Sequence, residues 1–310
     1  MKKRLIIFIC AALLLLTSSA TALAASPEEC ACGDPSGDGK IDIADYTLIR
    51  LHILALKSLP EGGQSAADVD GDGEITIGDY TLVRLHILGL RDIGAGALPL
   101  SGRVIGIDPG HQAHANRDQE PIRPGGAETK NKVSSGTYGR FTGIREYVLN
   151  LEVALILKGK LEALGATVIM TRTTHEVDIS NAERATMMNN APVDCWVRIH
   201  ADGSDDASKY GMSYLAPAEG CVNSSDPAVQ QNSVRLAETM IAASIAATGA
   251  KNNGVKLRDD QTGFCWSSVP VCTIEMGYMT NETEDLLLAT AAYKESQAQG
   301  MADGFVDYFN

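Results

Sequence analysis

No Cys-x-x-Cys pair occurs among the seven cysteines of this 310-residue chain, which argues against a thiolate zinc site. There is no His-Glu-x-x-His helix signature. Nor is there a long basic stretch able to track phosphates, and with a formal net charge of −13 nucleic acid is disfavoured as a partner. The longest apolar run, Leu5 to Leu16, falls short of the ~20 residues that a comfortable membrane span needs. It follows Lys2, Lys3 and Arg4 and precedes Ala22-Leu23-Ala24, a small-x-small cleavage pattern. Residues 1–24 therefore read as a signal peptide, and the mature chain as secreted or surface-associated with no membrane span; a retained anchor is the competing reading. Cys10 would leave with that segment. Cys30, Cys32, Cys195, Cys221, Cys265 and Cys272 would enter a compartment that permits oxidation, with a connectivity that spacing does not give. Cys195 and Cys272 lie in apolar runs and read as buried thiols.

What is present begins with a repeat. Asp34-Pro-Ser-Gly-Asp-Gly-Lys-Ile-Asp-Ile-Ala-Asp45 aligns with Asp68-Val-Asp-Gly-Asp-Gly-Glu-Ile-Thr-Ile-Gly-Asp79 at an offset of 34 residues. Each copy continues into Tyr-Thr-Leu and then Arg-Leu-His-Ile-Leu. Calcium takes about six to eight hard oxygens, and alternate residues of such a loop supply them around a turn-forming glycine. The first loop offers Asp34, Ser36, Asp38, the Lys40 carbonyl, Asp42 and Asp45; the second offers Asp68, Asp70, Asp72, the Glu74 carbonyl, Thr76 and Asp79. So small a unit barely buries a core alone, so calcium would supply much of its folding energy.

The paired loops, the terminal Asp45 and Asp79 and the Leu-rich helices resemble a dockerin, over residues 33–92. The resemblance implies a small all-α module with two calcium loops, docking onto a cohesin-bearing scaffold or surface protein. The family often carries Lys-Arg then Tyr in each helix, where this chain has Arg50-Leu51-His52 and Arg84-Leu85-His86, which leaves the partner's subtype open. Residues 93–102, rich in Gly and Ala, read as a linker.

From Arg103 the pattern changes to buried-strand runs, Val104–Ile107, Ala166–Met170, Cys195–Ile199 and Val269–Ile274, alternating with helical stretches. The stretch from Glu146 to Leu164 is amphipathic, and helix starts are expected at Ser180, Asp226-Pro227 and Asn281. This alternation argues a layered α/β domain over 103–310. Three strands end in His or Glu: Asp108-Pro-Gly-His111, Ile199-His200-Ala201 and Ile274-Glu275-Met276. Ligands gather at the carboxyl ends of such strands. Two imidazoles and a carboxylate leave a tetrahedral zinc one open position, and a further carboxylate can move protons. That chemistry assigns His111, Glu146 and His200 as zinc ligands and Glu275 as general base and acid. Asp108 is expected to orient His111, Arg172 and Arg184 to form structural salt bridges, and His175 to face solvent.

Asp108-Pro-Gly-His111, Glu146 with Asn150-Leu151-x-Val-Ala154, Thr171-Arg172, Glu183-Arg184, Ile199-His-Ala201 and Ile274-Glu-Met-Gly277-x-x-Thr-Asn281 follow one another in order. Over about residues 103–309 the chain resembles the zinc-dependent N-acetylmuramoyl-L-alanine amidase family of the amidase_3 type. The resemblance implies a twisted, mostly parallel sheet flanked by helices. It also implies hydrolysis, in peptidoglycan, of the amide between the lactyl group of N-acetylmuramic acid and L-alanine, with the same four residues in the same roles. An idle peptidoglycan-binding module and a zinc carboxypeptidase acting within the stem peptide remain as alternatives. The polar stretch 112–145, too rich in Gly and Pro for a helix, reads as a substrate loop.

Overall fold

A computed structural model describes residues 31–60, 62–89, 92–93 and 98–310; the expected signal peptide and Cys30 lie outside them. The amino-terminal unit holds three helices, α1 (Ile43–Ile53), α2 (Gly63–Ala67) and α3 (Ile77–Ile87). α1 and α3 have the same length and are capped alike. Asp42 and Thr76 are the N-caps, and Asp45 and Asp79 reach back to the cap amides. The last acidic residue of each loop thus also starts the helix that follows. Between the two copies Tyr46 and Tyr80 stack at 4.2 Å, over a small core of Ile49, Ala67, Val69, Leu82 and Val83. Leu98 joins that core and Leu100 joins the core of the next unit, so the end of the Gly/Ala-rich connection is held by side-chain burial.

The larger unit runs β1 (Val104–Pro109), β2 (Asn116–Pro121), β3 (Thr129–Val133), α4 (Glu146–Ala163), β4 (Thr167–Met170), α5 (Asn181–Asn190), β5 (Cys195–Asp202) and β6 (Met212–Pro217). It continues with α6 (Pro227–Thr248), β7 (Asn252–Arg258), α7 (Thr262–Cys265), β8 (Val271–Tyr278), α8 (Glu282–Leu288) and α9 (Ala291–Phe309). Six strands form one sheet in the order β4-β1-β5-β8-β6-β7, parallel except where β6 meets β8. Apart from it, β2 and β3 form an antiparallel hairpin, so the polar stretch 112–145 is partly strand, with no helix among its residues.

Period-two alternation sorts the sheet's side chains. Ile105 and Ile107, then Val197 and Ile199, then Cys272 and Ile274 face the main core with α4, α6 and α9. Cys195 and Cys272 are buried thiols there, as expected. On the other face Trp196 and Val271 pack against Met188 of α5 and Phe264 of α7. Asp108, Arg198, His200, Thr273 and Glu275 share the parity of that second face, which directs them towards the hairpin and α7. The β6–α6 connection is tied to α7 by a disulfide between Cys221 and Cys265.

Candidate metal centre

His111 follows β1 through a Pro-Gly turn and sits at φ +61°, a left-handed backbone that few side chains adopt. The surroundings hold it there. Arg184 Nη2 donates to the His111 carbonyl at 3.1 Å, and the ring Nδ1 lies 2.9 Å from the Ser134 carbonyl. A carbonyl only accepts, so Nδ1 carries the proton and Nε2 presents a lone pair. That Nε2 is 3.1 Å from Glu146 Oε1.

Glu146 opens α4, where a carboxylate is favoured by the helix dipole. Its Oε1 also accepts from Asn150 Nδ2 (3.3 Å) and the Ala201 amide (3.2 Å), and its Oε2 from the Thr137 amide (2.8 Å). From β5, His200 brings Nδ1 to 3.1 Å from the same Oε1. Its Nε2 is buried with no partner among the described residues, on the side facing Gly110. A side chain at Gly110 would overlap that ring, and one at Gly136 would sit 2.5 Å from Glu146 Oε2 and 2.8 Å from His111 Cδ2.

These three side chains offer ligand atoms all within 4.8 Å of one another. Both His–Glu separations are 3.1 Å, close enough for one small cation to be shared by an imidazole nitrogen and the carboxylate oxygen. Electrostatics agrees. Burial lowers the pKa of His200 to about 4, so it is a neutral imidazole near pH 7. Burial acts to raise the pKa of Glu146, but the two histidines outweigh it and hold the carboxyl well below its usual range.

Glu275 pairs in register with His200 across the β5–β8 ladder and lines the same cleft. Burial raises its pKa well above the usual range, and Glu146 and Asp202 add repulsion. A buried carboxyl beside a metal-type cluster is placed to exchange a proton with a reacting group.

Beneath this layer lies a charge network. Asp108 is fully buried and accepts from Arg184 Nη1 (2.6 Å), Arg198 Nε (3.0 Å) and Thr171 Oγ1 (2.6 Å). The Arg184 salt bridge matches expectation, and through it Asp108 lies one residue from the His111 carbonyl, with none of its oxygens on the His111 ring. Two other expectations are corrected. Arg172 bonds to the carbonyls of Pro109, Gly110, Tyr147 and Thr174 instead of forming a salt bridge, because those carbonyls surround its fork. His175 is half-buried, its ring edge-on to Tyr147 at 5.4 Å. Sequence reasoning also missed Arg198, whose position inside an apolar strand run was the available signal, and Ser134, which no local signal marks.

In the amino-terminal unit the structure gathers Asp68, Asp70 and Asp79 into a second cluster able to hold a cation. Burial raises the pKa of Asp70, and repulsion from Asp79 adds to it, as expected of carboxylates crowded without a counter-ion. Asp72 turns to the Glu74 amide (2.8 Å), and Thr76 caps α3. In the first loop the Asp34 carboxylate accepts from the Ser36 hydroxyl and the Gly37 and Gly39 amides, and Asp45 from the Ser36 amide. Asp38 accepts from the Lys40 amide and Asp42 caps α1, so among the described residues no carboxylate trio forms there.

Comparison with known proteins follows this division. Residues 105–307 match the N-acetylmuramoyl-L-alanine amidase family and residues 32–88 the dockerin type I domain. The chain is 30% identical over 211 residues to the N-acetylmuramoyl-L-alanine amidase LytC of Bacillus subtilis, a match covering 68% of this chain but only 36% of that protein. It is 27% identical over 221 residues to an N-acetylmuramoyl-L-alanine amidase of Mycobacterium tuberculosis, covering 69% of this chain and 90% of that one. The crystal structure of the apo amidase Ami1 of Mycobacterium abscessus superposes with a TM-score of 0.60 at 28% identity, covering 68% of this chain and all of that one.

Proposed function

The chain belongs to the N-acetylmuramoyl-L-alanine amidase family, and from that membership we propose that it hydrolyses the amide joining the lactyl group of N-acetylmuramic acid to L-alanine in peptidoglycan. One observation carries the reading: His111, Glu146 and His200, far apart in sequence, present their ligand atoms to one point, with Glu275 on the neighbouring strand.

In this proposal His111 Nε2, His200 Nδ1 and the Glu146 carboxylate hold one zinc ion. When bound, such an ion supplies Lewis acidity and lowers the pKa of water to about 7. The remaining steps belong to the chain's own groups. Ser134 fixes the tautomer of His111 through its carbonyl. Asn150 and the Thr137 and Ala201 amides hold the Glu146 carboxylate in place. Glu275, paired with His200 across the ladder and lining the same cleft, takes the proton of the attacking water and returns it to the departing alanine nitrogen.

The amino-terminal unit, residues 33–92, is proposed to bind two structural calcium ions through the twelve loop positions named above and to dock onto a cohesin-bearing partner. Residues 1–24 would direct export, 93–102 connect the units, and 103–310 form the catalytic domain, acting outside the cell or at its surface. Among the described residues no helix is long and apolar enough to cross a membrane.

The test is product analysis of a purified wall digest. New L-alanine amino termini without new reducing sugars are expected, abolished by a zinc chelator and restored by zinc. New reducing ends, or release of carboxy-terminal D-amino acids alone, would refute the assignment.

A further inference from the structure

The cleft has two lobes that share His111, Ser134, His200 and Glu275 and then diverge. Their volumes of about 580 and 430 Å³ each suit a sugar or a short peptide segment. Their chemistry differs. The first lobe adds Glu146, Asp202 and Asp205, and its cation, Arg140, is engaged by the Ser204 carbonyl (3.1 Å) and Asp205 (3.7 Å). The second lobe adds no carboxylate of its own. It brings Lys130 from the hairpin, Arg198 from β5, and Gln261 and Thr262 at the start of α7.

The donors of this second lobe are positioned yet under-used. Lys130 Nζ is anchored by one bond to the Asp260 carbonyl (2.8 Å), which leaves further N–H groups for a ligand. The nearby Asp260 carboxylate is held by Arg258, and Glu120 is turned to the Ala182 amide at the start of α5. Gln261 accepts from Thr273 through Oε1 (2.9 Å), so its amide NH₂ is directed elsewhere and has no protein partner among the described residues. Thr262 is 1% exposed, and its hydroxyl has no partner among the described residues. Arg198 is committed to Asp108 and Asn181 and contributes positive potential only.

We propose that this second lobe is a carboxylate-reading subsite for the peptide side of the substrate, with Lys130, Gln261 and Thr262 as its recognition residues. The ligand class is a γ-linked glutamyl residue whose α-carboxylate is free, one residue beyond the alanine. The uncharged glycan then lies in the acid-lined first lobe. The inference rests on the amidase reading above and assigns a direction to the substrate within it. Lys130 is a specificity residue and takes no part in the bond cleavage.

The test uses the full-length, zinc-loaded protein and two soluble substrates, N-acetylmuramoyl-L-alanyl-γ-D-glutamic acid and its α-amide. The native protein should favour the acid by about tenfold in kcat/KM, the scale of one charge-assisted hydrogen bond. Lys130→Met should erase that preference through KM with kcat little changed, and Lys130→Arg should retain most of it. Equal treatment of acid and amide by the native protein, or an equal loss on both in Lys130→Met, overturns the subsite. If neither substrate is cleaved, the amidase reading has failed. Calorimetry of the L-alanyl-γ-D-glutamic acid dipeptide and its α-amide then still decides: tighter binding of the acid, lost in Lys130→Met, supports the subsite, and equal binding overturns it.

Discussion

Asp108→Asn isolates the buried charge network from the chemistry above it. The carboxylate is wholly enclosed and bonds two arginines and a threonine, so the substitution leaves Arg184 and Arg198 without their anion. Removing one partner of a buried ion pair costs about 3–5 kcal/mol, against a total domain stability of about 5–15 kcal/mol. At about 2–4 °C per kcal/mol for a domain of this size, the melting temperature should fall by roughly 6–20 °C. The pH dependence has a definite sign. Burial opposes ionisation of Asp108, but Arg184 and Arg198 overcome it and hold the folded-state pKa far below the usual value. The contribution is therefore fully present above the unfolded value of about 3.9 and is lost as pH falls towards the depressed folded value. Urea melts followed by tryptophan fluorescence between pH 7 and 3 should show the gap between native and variant narrowing only below about pH 4. Adding Arg198→Met to the variant should recover part of the loss by removing a stranded cation. A native-like melt for Asp108→Asn, or a gap that does not change with pH, would refute the reasoning.

Three further outcomes follow from the geometry. Gly110→Ala places a methyl group in the His200 ring, so zinc content by atomic emission and hydrolysis should fall together, the latter by at least about a hundredfold. Glu275→Gln should retain zinc but lose at least about a hundredfold in rate on soluble substrate, the scale of general acid–base removal; retained turnover would remove Glu275 from the mechanism. Calcium chelation should melt α1 and α3, read by circular dichroism, while leaving hydrolysis intact, and an unchanged melt in chelator would refute the calcium assignment.

Elements with a local signature were legible in the sequence. Ser180, Asp226-Pro227 and Asn281 start helices through side-chain caps seen in the structure, and the amphipathic stretch from Glu146 ends within a residue of its expected limit. Strands β1, β5 and β8 were readable because burial on both faces makes them continuous apolar runs, and edge strand β4 because its Val-Ile-Met run stays partly covered. β7 was not, because Asn252–Arg258 is a polar edge strand, and neither was the reversal of β6 against β8, which depends on chain path alone. At the site, the four chemical residues stood out at strand and helix ends. Lys130 and Ser134 did not, because each is tied to a neighbour far away in sequence.

The register of β1, β5 and β8 explains why the network and the site form one construction. Asp108, Arg198 and Thr273 pair across the three strands, and His200 and Glu275 pair two residues further on. Residues two apart on a strand share a face and stand roughly 6.6–6.8 Å apart along it. The Asp108–Arg198–Thr273 rung is therefore the floor on which the reactive rung rests. Arg198 is its central member: one edge of its fork binds Asp108 and the other Asn181, while Thr273 beside it holds Gln261 in the second lobe. A lysine could not make both of those directed bonds. The same side chain thus anchors the strand end that presents His111 and sets the positive potential of the second lobe, so changes at Arg198 should alter stability and substrate preference together.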